Sequence, residues 1–412
     1  MKVTECIPEV FPLDQDQIDE FVRNGVLVVE NVFQHEEIEK ANQGLKSTLK
    51  KYGVDINDLE NTGHRLRELS STNGSGGVLD IFYPKWKLEV ALHPKFFSII
   101  SQLWEASFHH KEKRNGSIDC ERNDAYDPKA HPFGPFDFKH GYIYMDRIGY
   151  RIPTALAQTI GVQSDKIDLP TTKIHSKKNQ RKQNRPIQRS LTPHLDCCPE
   201  TILQIGHMKS TQDISELNLR KWRPLQSFIS LTDNDEPNTG GFEAVPGFHH
   251  EFYEWAKNRK PSIIMKKGGN AQQIKAPCIG EYTHIRPKED SEVFSQIQPI
   301  PCKAGSVVIW DNRIPHSNSF RNDSDFCRAV IYASFLPDIE LNRQYLARQL
   351  DDYLSQPKRI PTDQWIKVRE NRSSNKDHVW SEEGTLSAPT EDEASYDFSP
   401  WEKKLMGIHS WD

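Results

Sequence analysis

Apolar positions in the first third of the chain recur at helical spacing. In DQDQIDEFVRNG, Ile18, Phe21 and Val22 share one face and Gly25 closes the run. VLVVENVF follows as a short β-branched strand. QHEEIEKANQGLKSTLKKYG is amphipathic and closes on Gly53, and HPKFFSIISQLWEAS, from His93, reads as a further helix. From about residue 135 the period shortens. KHGYIYMDRIGYRI alternates in part between aromatic and polar residues, and LQSFISLTD, SVVIWD and RAVIYASF are short apolar runs bounded by turn residues. Such runs at irregular spacing predict a mainly β core with flanking helices, an α+β chain centred on a double-sheet jelly roll.

Two stretches break this pattern. KIHSKKNQRKQNRPIQR is rich in Lys and Arg and nearly free of apolar residues, so it reads as a surface loop inserted at about 165–190. Beyond 341 the chain is first helical (NRQYLARQLDDYL) and then polar, and the closing FSPWEKKLMGIHSW regains aromatics. The expected organisation is one domain over 1–340 and a helical, partly disordered extension over 341–412 that docks back on it.

The 412 residues carry 27% charged and 36% hydrophobic side chains, within the globular range. A formal net charge of −5 offers no positive field to attract nucleic acid. No run approaches the ~20 apolar residues of a membrane helix, and the first residues lack a signal-peptide core. A soluble, cytoplasmic or otherwise intracellular protein is expected, acting as a monomer on a small molecule without nucleic-acid or membrane partners. The seven cysteines (6, 120, 197, 198, 278, 302 and 327) are odd in number and form no CxxC pair, which points to free thiols.

The candidate chemistry lies in TPHLDCCPE. His194 and Asp196 are two residues apart, so on a strand both side chains leave from one face and can share a metal. The third ligand expected is His316, on the loop after the apolar strand of GSVVIWDNRIPHSNSF. Two His and one carboxylate on one side of an octahedral ion leave positions open for a bidentate cosubstrate and O2, an arrangement suited to iron(II). The same ligands could hold zinc and a hydrolytic water, and the scaffold could bind a metabolite without catalysis. Arg328 follows His316 at the head of RAVIYASF. If the strands flanking NSFRNDSDFC pair antiparallel, Arg328 lies beside the strand that leads to His316.

Taken together, QIDEFVRNGVLVVENVF, TPHLD, LQSFISLTDNDEPNTGGFEAVPGFHH, KAGSVVIWDNRIPHSNSF and CRAVIYASF resemble, in order, the motifs of the phytanoyl-CoA dioxygenase family of iron(II)/2-oxoglutarate oxygenases. The resemblance spans about residues 15–340. It implies a cupin-like double-stranded β-helix with helices on one side, iron(II) on His194, Asp196 and His316, and 2-oxoglutarate as cosubstrate with O2. It implies that Arg328 grips the distal carboxylate of 2-oxoglutarate with a two-pronged fork that Lys cannot reproduce. Gln226, Phe228 and Tyr144 fall where the family places residues beside the cosubstrate. The implied activity is oxidation of an unactivated C–H bond, by hydroxylation, desaturation or cyclisation, with release of succinate and CO2. A turn one residue longer would put Cys327 in the place of Arg328. His249 and His250 of PGFHH read as turn-capping residues. Arg147, Arg151 and the residues from Arg181 to Arg189 suggest an anionic substrate.

Overall fold

The computed structural model describes residues 7–411 apart from 68, 71, 73, 111–125, 168–185, 208–216, 218, 262, 268–271, 279–280 and 356–395. Its strands, in chain order, are β1 (Val26–Val29), β2 (Val78–Leu79), β3 (His109–His110), β4 (Ala130–His131), β5 (Gly141–Arg151), β6 (His194–Leu195), β7 (Leu225–Ser230), β8 (Phe242–Ala244), β9 (Ile263–Lys267), β10 (Gln272–Ala276), β11 (Thr283–His284), β12 (Gln298–Pro299), β13 (Val307–Asp311), β14 (His316–Asn318) and β15 (Arg328–Pro337). A six-stranded sheet runs β1-β13-β7-β15-β5-β2, and a five-stranded sheet runs β11-β6-β14-β8-β12. Every pairing within these two sheets is antiparallel. With the helices they make an α+β fold.

The large sheet is apolar on both faces, and its period of two sorts those faces. Leu27, Val29, Leu225, Ile229, Val307, Ile309, Ala329, Ile331 and Phe335 pack with residues of the helices Gln15–Asn24, His35–Lys51 and Pro94–Ser107. Val26, Phe228, Val308, Trp310 and Val330 point the other way, toward Leu195, Phe242 and Ala244 of the small sheet. The large sheet is therefore a middle layer, and the space between the sheets is the inner face on which the site is built.

Local sequence sets the element ends. The first helix starts at a capping box in which Asp14 and Gln17 each accept the other's backbone N–H. It ends at Gly25, whose φ of +64° closes the helix. A Cβ at that position would lie 2.6 Å from Nδ1 of His249. His249 and His250 bond the Val22 and Arg23 carbonyls at the same helix end, which matches their turn-capping reading.

The helix Glu340–Ser355 lies against β5, where the Gln349 amide bonds both Met145 N and Ile143 O. After residue 395, the Trp411 indole donates to Gly141 O at 3.0 Å and stacks on Phe97 and His140. Most of the basic insertion (168–185) falls outside the described residues. Among those described, no helix is long and apolar enough to cross a membrane.

Candidate metal centre

The small sheet brings the two histidines together. β6 and β14 pair through a single register point, His194 opposite His316, with ring centroids 4.4 Å apart. His316 therefore heads a strand rather than lying in a loop, a correction that the ladder contact explains. Asp196 follows β6 directly. Its two carboxylate oxygens lie 3.6 Å from Nε2 of His194 and 3.7 Å from Nε2 of His316. The three potential ligand atoms all lie within 4.8 Å of one another.

Both imidazoles are oriented the same way. Nδ1 of His194 contacts Thr192 O at 2.8 Å, and Nδ1 of His316 contacts Ile314 O at 3.0 Å, in each case the carbonyl two residues earlier. A carbonyl only accepts, so each ring carries its proton on Nδ1 and leaves the Nε2 lone pair for a metal. Burial, followed by the neighbouring His316, pushes His194 down to about 4 against the pull of Asp196, so this ring is neutral at pH 7. Burial opposes the Asp196 charge. The adjacent His316 and His194 and the Arg223 guanidinium outweigh it and hold the carboxyl below its ordinary range. Two oriented imidazoles, that of His194 neutral, and an ionised carboxylate form a donor set suited to a divalent ion.

Arg328 is almost wholly buried and projects from the inner face of β15. The neighbouring Cys327 packs instead with the helix-side core, so the period of two assigns the inner position to Arg328. β14 and β15 do not pair with each other. They belong to opposite sheets, because the turn between them crosses the inner space, and β15 instead lies between β7 and β5. This corrects the antiparallel pairing expected across that turn. The link to the metal strand runs through a side chain. Nη1 of Arg328 donates to Oδ1 of Asn318 at 3.2 Å, and Asn318 is two residues past His316 on the same face of β14.

Gln226 and Phe228 lie two apart on the inner face of β7, with Phe228 under the Arg328 guanidinium at 5.1 Å. Several buried donors on this face lack a partner in the described structure: Nε and Nη2 of Arg328, Nε2 of Gln226 and Nε1 of Trp310. Each buried unmatched donor costs ~1–3 kcal/mol unless something accepts from it. Tyr144, on β5, lies apart from this group, with its ring against the Arg223 guanidinium at 4.4 Å.

A small pocket that Asp196 lines together with Cys198, Lys221, Trp222, Arg223, Glu281 and Asn312, among others, opens beside the triad. Asn318, Arg223, Lys221 and Glu281 were not singled out by sequence reasoning. Asn318 had a signal, its spacing of two from His316. The other three stand in irregular segments with no periodic context. Of the basic residues expected beside the site, those at 181–185 lie outside the described residues, while Arg147, Arg151 and Arg189 make local contacts. Arg151 donates to the Arg189 and Phe320 carbonyls, and Arg147 pairs with Asp146 at 3.1 Å. Of the adjacent thiols, Cys197 is buried and contacts Asn312 O. A hydrogen bond from Cys278 brings Cys198 down to about 7.

No protein-family model matches the chain. A stretch of 152 residues is 26% identical to a "Putative phytanoyl-CoA dioxygenase" of Dictyostelium discoideum, covering 36% of this chain and 38% of that relative. Among solved structures, the GlcNAc Inducible Gene 2 protein of Candida albicans superposes over 97% of this chain and 77% of its own, with a TM-score of 0.59 at 16% identity. A "Putative Oxidoreductase" from Salmonella typhimurium LT2 covers 96% of this chain and 83% of its own, with a TM-score of 0.56 at 14% identity. At such identities these two structures show a shared fold alone.

Proposed function

We propose that the chain is an iron(II)- and 2-oxoglutarate-dependent oxygenase on a double-stranded β-helix, oxidising a C–H bond of a small metabolite. The observation that carries this reading is the pairing of two features on one inner face. His194, Asp196 and His316 cluster at one end. The buried, unmatched donors of Arg328, Gln226 and Trp310 lie on the facing sheet. Asn318, which contacts Arg328, is two residues beyond His316, or about 7 Å along an extended strand. A small dicarboxylate with a keto acid at one end and a carboxylate at the other fits that spacing, and it is rich in acceptors where the protein is rich in donors. The limited sequence relationship to a phytanoyl-CoA dioxygenase-like protein supports the same class.

In this reading His194, Asp196 and His316 hold the ion and leave its far side open. Bound there, iron(II) with 2-oxoglutarate and O2 supplies the oxidising power for C–H cleavage, releasing succinate and CO2. Arg328 fixes the distal carboxylate by its fork, Phe228 backs the guanidinium, and Gln226 donates from the next strand. The apolar walls of Phe242 and Trp310 against His316 keep water from the centre. The test is anaerobic loading with ferrous ion, followed by 2-oxoglutarate-dependent succinate release in the presence of a metabolite mixture. About one iron per chain is expected, and His194→Ala and His316→Ala should lose both iron and turnover, beyond the ~10–100-fold that follows loss of a supporting partner. Wild-type iron content and turnover in both variants would sink the assignment.

A further inference from the structure

The pocket beside Asp196 holds a cation that its surroundings do not fully use. Lys221 and Glu281 meet there at 2.6 Å and neutralise each other. Arg223 differs. Its guanidinium lies 3.7 Å from Asp196 and 3.9 Å from Asp146, separations that attract without a hydrogen bond. Asp146 already has Arg147 at 3.1 Å, and Asp196 faces both imidazoles. The Arg223 side chain is only 11% exposed, so water compensates it poorly. The Tyr144 ring lies 4.4 Å from the guanidinium carbon, and such aromatic backing leaves the in-plane N–H donors for something else. Because the same pocket is lined by Asp196, whatever Arg223 holds sits next to the metal ligands.

We infer that Arg223 receives a carboxylate of the substrate, making the substrate a small organic acid oxidised at a carbon close to that group. The inference rests on the oxygenase reading for the word "oxidised"; the carboxylate site itself does not. A carboxylate presents two coplanar acceptors that match the guanidinium fork. Arg328, Gln226 and Phe228 are not among the residues lining this pocket, so a ligand so held leaves the cosubstrate end free. The Lys221–Glu281 pair lines the same pocket and offers hydrogen-bonding groups to the rest of the molecule.

The experiment uses the full chain loaded with Mn(II) and saturating 2-oxoglutarate, which occupies the Arg328 end. Propionate and its neutral isostere propionamide are titrated separately, with binding followed by tryptophan fluorescence, since Trp222 lines the pocket. Propionate should bind at least about tenfold more tightly than propionamide, the margin of a charge-assisted fork over a neutral contact. Arg223→Gln should abolish that preference, and Arg223→Lys, which keeps the charge and most of the local packing, should retain only part of it. Affinity for 2-oxoglutarate should be unchanged in both, and Mn(II) content unchanged in Arg223→Lys, which keeps the charge beside Asp196. Equal binding of acid and amide by the wild type, or a preference that survives in Arg223→Gln, overturns the inference. So does loss of Mn(II) from Arg223→Lys, or of 2-oxoglutarate from either variant, which would make Arg223 a support of the metal centre alone. A wild-type chain that takes up neither Mn(II) nor 2-oxoglutarate sinks the oxygenase reading instead, and the propionate titration of the unloaded chain still decides the role of Arg223.

Discussion

The two sheets of this protein are built for different purposes. The large sheet has long strands, β5 and β15 above all, and one of its faces is sealed by helices through Phe335, Ile331, Ile309 and Leu225. The small sheet has strands of two or three residues and carries the polar groups: His194, His316, Ser317 and Asn318 are all buried within it, with Asp196 just beyond. Rigid packing behind the large sheet fixes the inner face against which the short strands are held. The geometry of the candidate ligands depends on that support, because a two-residue strand has too few ladder bonds to hold its own position.

The comparison breaks first at the helix-facing layer. Phe335 is fully buried, with edge contacts to Phe96 at 4.9 Å and Phe97 at 5.0 Å. Phe335→Ala should cost about 3–5 kcal/mol in denaturant unfolding, the range for deleting a core aromatic. Metal content per folded molecule should not change, since the contact lies on the face away from the centre. A variant of undiminished stability that lost its metal would mean that the layers are not divided in this way.

Acid probes the small sheet. The ordinary histidine value of 6.5 falls to about 4 at His194, chiefly through burial and then the adjacent His316. The folded value lies below the unfolded one, so the unfolded chain takes up the proton first as pH falls. The stability linked to His194 is complete above about 6.5 and is lost progressively toward pH 4, on the order of 3 kcal/mol in all. Unfolding of the metal-free chain followed from pH 7 to 4 should show this slope, and His194→Gln should flatten it. An identical slope in that variant would assign the acid sensitivity elsewhere.

The same division explains what could be read from the sequence. β1, β5, β7, β13 and β15 each run long enough for alternation or β-branching to show, and each lies where its apolar run predicts. The small sheet left no period to detect, because a pair such as His194–Leu195 has no repeat. Its candidate ligands were legible by chemistry, through the spacing of His194 and Asp196. The placement of β14 and β15 in opposite sheets was not, because it depends on the path of a turn that crosses the inner space. Arg223 and Glu281 were missed for a similar reason: their meeting in one pocket is tertiary, and nothing in WRPLQSF or GEYTHIR marks it.

Arg328 sharpens the comparison at the meeting of the sheets. Arg328→Lys keeps the charge and loses the fork, and should raise the Michaelis constant for 2-oxoglutarate about tenfold, within the range for a charge-assisted pair. Cys327→Ala should leave that constant unchanged, since Cys327 packs on the helix side. Steady-state succinate release at varied 2-oxoglutarate separates the two; the reverse pattern would move the cosubstrate to the other face of β15.

Asn318 should show the smallest effect and is the most specific test, because it hydrogen-bonds Arg328 of the large sheet from the strand of His316. It extends the strand of His316, accepts from Nη1 of Arg328 at 3.2 Å, and donates to Gly76 O at 3.3 Å and the Tyr332 hydroxyl at 3.2 Å. The Gly76 contact anchors the amide, so the oxygen is turned to the arginine and sets the direction of the remaining donors. Asn318→Ala removes one charge-assisted bond without removing charge, worth about 1.5 kcal/mol at the low end of such bonds, or roughly a tenfold change at most. The Michaelis constant for 2-oxoglutarate should rise by a few-fold, and ferrous ion content should stay at the wild-type level. Asn318→Asp should weaken 2-oxoglutarate more than the alanine does, because a carboxylate there would pair with Arg328 and compete with the cosubstrate. If Asn318→Ala instead lost iron at an unchanged Michaelis constant, the amide would belong to the support of His316, and the link between metal strand and arginine strand would have to run through another residue.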